Sequence, residues 1–333
     1  MAKPQKGHPA GFCGVFLMEK KAMNQFRKVI RNWEDWEATA GEISAFSGVV
    51  EKIFHNEGLP AADIRELPPS TNAVFRVGDY VIKIYAPRQA QMEPEEEQRI
   101  ERFAMWRAGE AGVPVSEIAA WGCLKDQYDF YYLISRYMEG QPFGEVVRRM
   151  GTAEKRRMGA RLRDLTDRMN TPCAPFRQVD VLTDPDRQVR WQGYQENFRR
   201  DRKNYLERRC FGEQVFVHGD LNGGNVLVDK EGGIWFLDFA EAVPAPALYE
   251  QMYVAVELFQ MDAALLEGYF PGYSREALAE LITEGLLMHD FGGDLVRRYF
   301  GGPDGLYTVK DLAGRVRGRL EAGGYSGEIF GRS

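Results

Sequence analysis

The stretch 215-VFVHGDLNGGNVLVDKEGGIWFLDFAEA-242 decides how the chain is read. Two short apolar runs, rich in Val, Ile, Leu and Phe and bounded by Gly, Asp and Asn, have the pattern of β-strands flanking a loop. Asp220 and Asn225 fall in that loop, and Asp238 closes the second strand. A carboxylate, an amide and a second carboxylate are thereby brought within reach of one another.

Composition narrows what such a site can serve. The chain has 333 residues, 44% of them hydrophobic and 28% charged, enough for two lobes with cores of their own. Its net charge of -6 excludes a broadly basic nucleic-acid surface. The basic stretch 197-NFRRDRKNYLERR-209 is interrupted by Asp201 and Glu207 and reads as a solvated helix face. No apolar run reaches the ~20 residues of a membrane span. Cys13, Cys123, Cys173 and Cys210 lack the spacing of a zinc site, so reduced thiols and a cytoplasmic location are expected. Residues 1–23 carry an apolar patch broken by Gly11 and Gly14 and followed by 19-EKK-21, and they read as a tail rather than a signal peptide.

The texture of the chain changes once. In 43-ISAFSGVVEKIFHNE-57, Ile43, Phe46, Val50, Ile53 and Phe54 share one helical stripe. The segments 72-NAVFRV-77 and 79-DYVIKIYA-86 alternate as strands around a Gly78-Asp79 turn. A helix over 95–112 and a strand over 129–140 follow, and beyond Gly140 the pattern is mostly helical, over 144–170, 191–209, 245–269, 275–288 and 310–320. The expected architecture is α+β and bilobal: a small lobe over 24–138 with an antiparallel sheet and one main helix, and a larger, mainly helical lobe over 139–333. The ligand belongs in the cleft between them.

Transfer of a phosphoryl group from a nucleotide needs a metal ion to neutralise the phosphates, a cationic clamp, and a carboxylate that orients or deprotonates the acceptor hydroxyl. Asp220 stands where such a base would act. Asn225 and Asp238 supply hard oxygen ligands suited to Mg²⁺. Lys83, in 81-VIKIY-85, projects from the face opposite Ile82 and Ile84 and can serve as the clamp. The following helix offers Glu97 and Glu101 as its acidic partner, and Glu101 is preferred.

The order Lys83, helix Glu, 218-HGDLNGGN-225 and 237-LDFAEA-242 resembles the aminoglycoside phosphotransferase family of the protein-kinase-like superfamily, over roughly residues 30 to 300. The resemblance implies Mg²⁺ and ATP or GTP, with Asp220 as catalytic base, Asn225 and Asp238 as metal ligands, Lys83 on the α/β-phosphates and Glu101 as its salt-bridge partner. It makes His218 a structural residue and 134-ISRYM-138 the linker to the purine, with Ile134 gatekeeper-like and Ser135, Arg136 and Tyr137 beside the base. The phosphate-covering loop, 67-LPPSTNAVF-75, lacks a Gly-rich signature, so Ser70, Thr71 and Asn72 must hold the phosphates. Gly219 stands where protein kinases carry Arg, and Ala240 where they carry the Gly of DFG.

The short path from Asp238 to the helix 248-LYEQMYVAVELF-259 leaves little room for an activation segment, which favours a small hydroxylated acceptor over a protein. Glu241, Glu250, Glu257 and Asp262, with His289, Asp290 or Asp294 from 286-LLMHDFGGDLVRRYF-300, are the candidates for binding a polycationic aminoglycoside. Similar kinases act on choline, methylthioribose, homoserine, amino sugars or macrolides. A nucleotide-binding pseudokinase and an interaction module are the readings of another class. The intact Lys83, Asp220, Asn225 and Asp238 set opposes the first, and the scatter of the six Trp residues opposes the second. A monomer acting on a small molecule, away from membranes and nucleic acid, is expected.

Overall fold

A computed structural model describes residues 24–68, 70–184 and 188–327; the expected tail over 1–23 lies outside the described residues. The first lobe is built on a five-stranded antiparallel sheet of spatial order β1-β2-β3-β5-β4. Its strands are β1 (Ile64–Glu66), β2 (Ala73–Val77), β3 (Tyr80–Ile84), β4 (Ile118–Lys125) and β5 (Asp129–Arg136). Gly78, at φ +59°, makes the tight turn from β2 to β3. Neither β1 nor β4 is anticipated by the sequence pattern, because β1 is three residues long and Ala and Gly blur the alternation of β4.

Period-two alternation gives the sheet two apolar faces. Ile82 and Ile84 of β3 point outward, where α2 (Ile43–Asn56) covers them with Phe46, Val50, Ile53 and Phe54. A short helix, α1 (Trp33–Glu37), closes the top of this layer. Its buried Trp36 meets Phe46 edge to face at 5.7 Å, and the indole Nε1 donates to the Thr71 carbonyl at 2.8 Å. Val81 and Lys83 project from the other face of β3, toward α3 (Pro94–Glu110) and the cleft. Pro94 sits in the first turn of α3, Glu95, Glu96 and Glu97 favour its N-terminus, and Gly112, at φ +73°, turns the chain away after it.

The second lobe is helical and shares one large apolar core. The helix expected over 144–170 is two, α4 (Phe143–Val147) and α5 (Thr152–Met169), with Glu154 capping the new start at the Gly151 N–H. α6 (Glu196–Arg208) follows. The helix expected over 245–269 also divides. It opens as strand β10 (Val243–Pro246), continues as α7 (Ala247–Tyr253) and a π-helical turn (Val254–Leu258), and stops where Gln260 and Met261 take positive φ. Asp262 then caps α8 (Ala263–Tyr269) through the N–H groups of Ala264 and Leu265. α9 (Arg275–Met288), α10 (Gly292–Tyr299) and α11 (Val309–Ala322) complete the lobe.

The opening stretch forms three strands rather than two. β7 (Gln214–Val217) pairs with β10, whereas β8 (Val226–Val228) and β9 (Ile234–Phe236) form a hairpin extended by β6 (Gln141–Pro142). Asp220 and Asn225 lie in the β7–β8 loop, and Asp238 lies just beyond β9. Among the described residues, no helix is long and apolar enough to cross a membrane, and Cys123, Cys173 and Cys210 are unpaired.

Helices α5 and α8 approach closely because glycines face each other's backbone. A Cβ on Gly159 would stand 2.3 Å from the Leu265 carbonyl oxygen, and one on Gly268 would stand 2.0 Å from that of Arg156. Gly268→Ala is therefore expected to push the helices apart and lower unfolding free energy by about 1–3 kcal/mol. Urea denaturation reads this directly, and an unchanged midpoint would contradict the close packing.

Candidate active site

The lysine and the carboxylates of the cleft come from β3, α3, the β7–β8 loop and the segment after β9. The cleft has a volume of about 670 Å³, within the range of small-molecule sites. Lys83, only 8% exposed, is its electrostatic centre. The ammonium lies 2.9 Å from Glu101 Oε2, 3.1 Å from Glu101 Oε1 and 2.7 Å from Asp238 Oδ1. Burial alone would favour loss of its proton, but the charges of Asp238 and Glu101 outweigh that and raise its pKa above the ordinary lysine value. Burial likewise opposes the Asp238 carboxylate, and Lys83 overcomes it, leaving the group below the usual range. The Tyr85 hydroxyl donates to Glu101 Oε2 at 2.7 Å and fixes the carboxylate from behind.

Asp238 holds φ at +58°, a left-handed conformation rare for a residue with a side chain. Lys83 bonding to Oδ1 and the Ala240 N–H, 3.4 Å from the same oxygen, hold it there. Gly219 answers a similar demand: its φ is +83°, and a Cβ would stand 2.4 Å from the Glu241 carbonyl oxygen. The absence of an Arg at this position follows from the backbone.

Asp220 is held from two sides. Asn222 Nδ2 stands 3.0 Å from both carboxylate oxygens, Asn225 Nδ2 donates to Oδ2 at 3.0 Å, and the Tyr253 hydroxyl donates to Oδ1 at 2.6 Å. Burial, aided by the charges of Asp238 and Glu241 and opposed by the Tyr253 and Asn222 bonds, lifts this carboxyl to about 6. A value so close to neutrality suits a group that takes up a hydroxyl proton. Asn225 Nδ2 also donates to the Asp220 carbonyl at 2.9 Å, which orients the amide. His218 is fully buried, with Nε2 at 2.9 Å from the Leu237 carbonyl, and burial depresses its pKa to about 4.

The chain matches the family described as "Phosphotransferase enzyme family" over residues 63–281. It belongs to that family. Among solved structures, it is similar to a point mutant of aminoglycoside 2′-phosphotransferase-IIIa in complex with GDP, at 15% identity over 83% of this chain and 96% of that one, with a TM-score of 0.55. APH(2″)-IIIa in complex with GDP and kanamycin shares 15% identity over 83% and 98% of the two chains, with a TM-score of 0.50. A choline/ethanolamine kinase family protein from Mesorhizobium loti shares 17% identity over 78% and 87%, also at 0.50. At such identities the likeness establishes the protein-kinase-like bilobal fold. No curated protein sequence matches the chain.

Several expected residues of this phosphotransferase do not sit where the sequence reading put them. Leu133, not Ile134, lines the cleft, because Ile134 alternates onto the outer face and is buried under α2. Ser70 and Thr71 line the cleft, whereas Asn72 is buried and accepts the Ala86 N–H at 3.0 Å, a structural link. Ser135, Arg136 and Tyr137 line it too, but the Arg136 and Tyr137 N–H groups are already bonded to the carbonyls of Glu117 and Asp79, at 2.9 and 2.8 Å. The Ser116 hydroxyl takes the Arg136 carbonyl. Glu101 bonds Lys83, as the sequence preferred, and burial lifts the carboxyl of Glu97 to about 7.

The acidic group expected to receive the acceptor is largely committed elsewhere. Glu257 pairs with Arg298 at 2.9 Å, and Asp262 caps α8 and pairs with Lys155 at 2.6 Å. Asp290 and Asp294 face Arg190, and His289 is enclosed between the Tyr249 and Tyr253 rings. Glu241, half exposed, stands 3.9 Å from Arg177.

Glu250 is fully buried, and its Oε2 accepts the His218 N–H at 2.5 Å and the Gly219 N–H at 3.4 Å, so α7 fixes the loop that carries Asp220. Burial lifts its carboxyl from 4.5 to about 8. Across that window the folded chain keeps a proton that the unfolded chain has released, so the stability this group contributes is full below pH 4.5 and drains as pH rises toward 8. Glu250→Gln keeps an acceptor for the loop and removes the titration. Relative to this variant, the parent is expected to lose up to about 1.4 kcal/mol of unfolding free energy per pH unit across the window. Parallel stability profiles from denaturant melts would contradict it.

Proposed function

We propose that this phosphotransferase moves the γ-phosphoryl group of ATP or GTP onto a hydroxyl of a small molecule. The observation that carries the reading is the Lys83 ammonium bonded to Glu101 and Asp238 in the same cleft that Asp220 and Asn225 line. Asp220 takes the acceptor proton as the oxygen attacks phosphorus. Lys83 clamps the nucleotide phosphates, and Glu101 with Tyr85 holds it in place. Ser70 and Thr71 cover the phosphates with hydroxyl and backbone groups. The purine lies against Leu133 and Ser135, and Met138 at the end of the linker offers its backbone N–H, since those of Arg136 and Tyr137 are already bonded. Residues 24–138 act as the nucleotide lobe and 139–333 as the catalytic lobe.

The donor set also fits Mg²⁺. Asn225 turns its Nδ2 onto Asp220, which directs the amide oxygen the other way, and Asp238 adds a carboxylate that Lys83 keeps ionised. Two protein oxygens completed by phosphate oxygens and water suit Mg²⁺, which sheds its own shell reluctantly. When bound, the ion neutralises the charge of the phosphates.

The two kinds of relative differ in acceptor, and the charges here favour one. An aminoglycoside-like polycation needs several uncommitted carboxylates, but Glu250 is buried on the loop, and Glu257 and Asp262 are paired to cations. That supports an acceptor of low positive charge, such as a choline-like alcohol, an amino sugar or a hydroxy amino acid, over a heavily charged antibiotic.

Release of nucleoside diphosphate with Mg-ATP and Mg-GTP, across a panel of such alcohols and aminoglycosides, tests the reading. Asp220→Ala is expected to cut acceptor-stimulated turnover about 10²–10⁴-fold while nucleotide binding survives. Turnover equal to the parent would overturn the role of Asp220, and nucleotide binding with no stimulated turnover by the parent would point to a pseudokinase.

A further inference from the structure

We propose that the Tyr253 hydroxyl occupies the acceptor side of Asp220 and restrains hydrolysis of bound nucleotide until an acceptor hydroxyl takes its place. The inference rests on Asp220 being the proton acceptor. An ionised carboxylate offers about four lone-pair positions. All are engaged: Oδ1 by Tyr253 and Asn222, and Oδ2 by Asn222 and Asn225. Asn222 and Asn225 belong to the same loop as Asp220 and move with it. Tyr253 alone arrives from another element, the last residue of α7 before the π-helical turn.

Its ring is fixed while its hydroxyl can rotate. Tyr253 is 5% exposed and stacks on His289 at 4.5 Å with an interplanar angle of 10°, and His289 stacks in turn on Tyr249 at 4.0 Å. The Tyr253 hydroxyl reaches Oδ1 from α7, whereas Oδ2 is held by Asn225, which lines the nucleotide cleft. Oδ1 thus faces α7, and Oδ2 faces Asn225.

Hydrolysis joins a water oxygen to the γ-phosphorus, passes the water proton to Asp220, and breaks the bond to the β-phosphate bridging oxygen. The electron pair leaves with the nucleoside diphosphate. While Tyr253 holds Oδ1, water finds no lone pair to receive its proton. A bound acceptor, held by its remaining contacts, displaces the tyrosyl proton where a lone water does not. The phenol oxygen is then left beside the incoming hydroxyl.

Tyr253→Phe retains the ring stack and deletes only the hydroxyl. With Mg-ATP or Mg-GTP and no acceptor, phosphate release by Tyr253→Phe is expected to exceed the parent about tenfold, the worth of one hydrogen bond to a charged group. The gain should vanish in Tyr253→Phe combined with Asp220→Asn. A merely structural tyrosine predicts equal or slower hydrolysis, and that result would overturn the restraint. A gain that survives in the double variant would overturn it too, since Tyr253 would then act elsewhere. Asp220→Asn turning over acceptor at the parent rate would sink the assignment of Asp220 itself. A dead Asp220→Asn beside an unaccelerated Tyr253→Phe would spare that assignment and remove only the restraint. Melting temperature and nucleotide affinity of each variant establish that fold and binding are intact.

Discussion

A buried ammonium ion holds the cleft together. Lys83 has left water almost completely, which is tolerable only because two carboxylates from different parts of the chain meet it. Glu101 comes from the helix of the first lobe and Asp238 from the strand end of the second. One cation therefore ties α3, β3 and the segment after β9 into a single electrostatic unit. Removing either partner would strand charge in a low-dielectric site, a loss of about 3–5 kcal/mol for a buried pair. The left-handed backbone at Asp238 fits the same constraint, because the carboxylate must turn back toward Lys83 as the chain leaves β9.

A second constraint operates on the Asp220 loop, and it comes from one helix. Glu250 and Tyr253 stand three residues apart on α7, on one helical face, and grip the loop at its backbone and at its carboxylate. Gly219 lets the loop pass against the Glu241 backbone where any side chain would collide. The geometry around Asp220 is thereby set from the helical core of the second lobe, while the groups proposed to face the nucleotide are set by the sheet of the first. The proposed chemistry lies where these two rigid supports meet.

Much of this was legible in the residues. Lys83 stood out as a charge in an apolar strand, and Asp220, Asn225 and Asp238 as polar groups at strand ends. Each is a local anomaly that the cleft resolves. Sequence reasoning missed what depends on direction and tertiary contact. Strand phase moves Leu133 rather than Ile134 to the cleft, and Asn72 turns inward to the Ala86 N–H. Helical periodicity ran through Arg149–Gly151 and Gln260–Asp262, where caps and positive φ end the helices. Glu250 was read as a candidate for binding a cationic acceptor, although its setting in 249-YEQMYVAV-256, an otherwise mostly apolar run, was a signal that a buried acid needed a partner.

The proposed site for a metal-bound nucleotide depends on Asp238, held ionised by Lys83. Calorimetric titration of ATP and GTP into the parent and Asp238→Asn, with Mg²⁺ and with chelator, tests it most directly. Mg²⁺ is expected to tighten nucleotide binding to the parent and to leave Asp238→Asn nearly unchanged. An equal Mg²⁺-dependent gain in both proteins would contradict it.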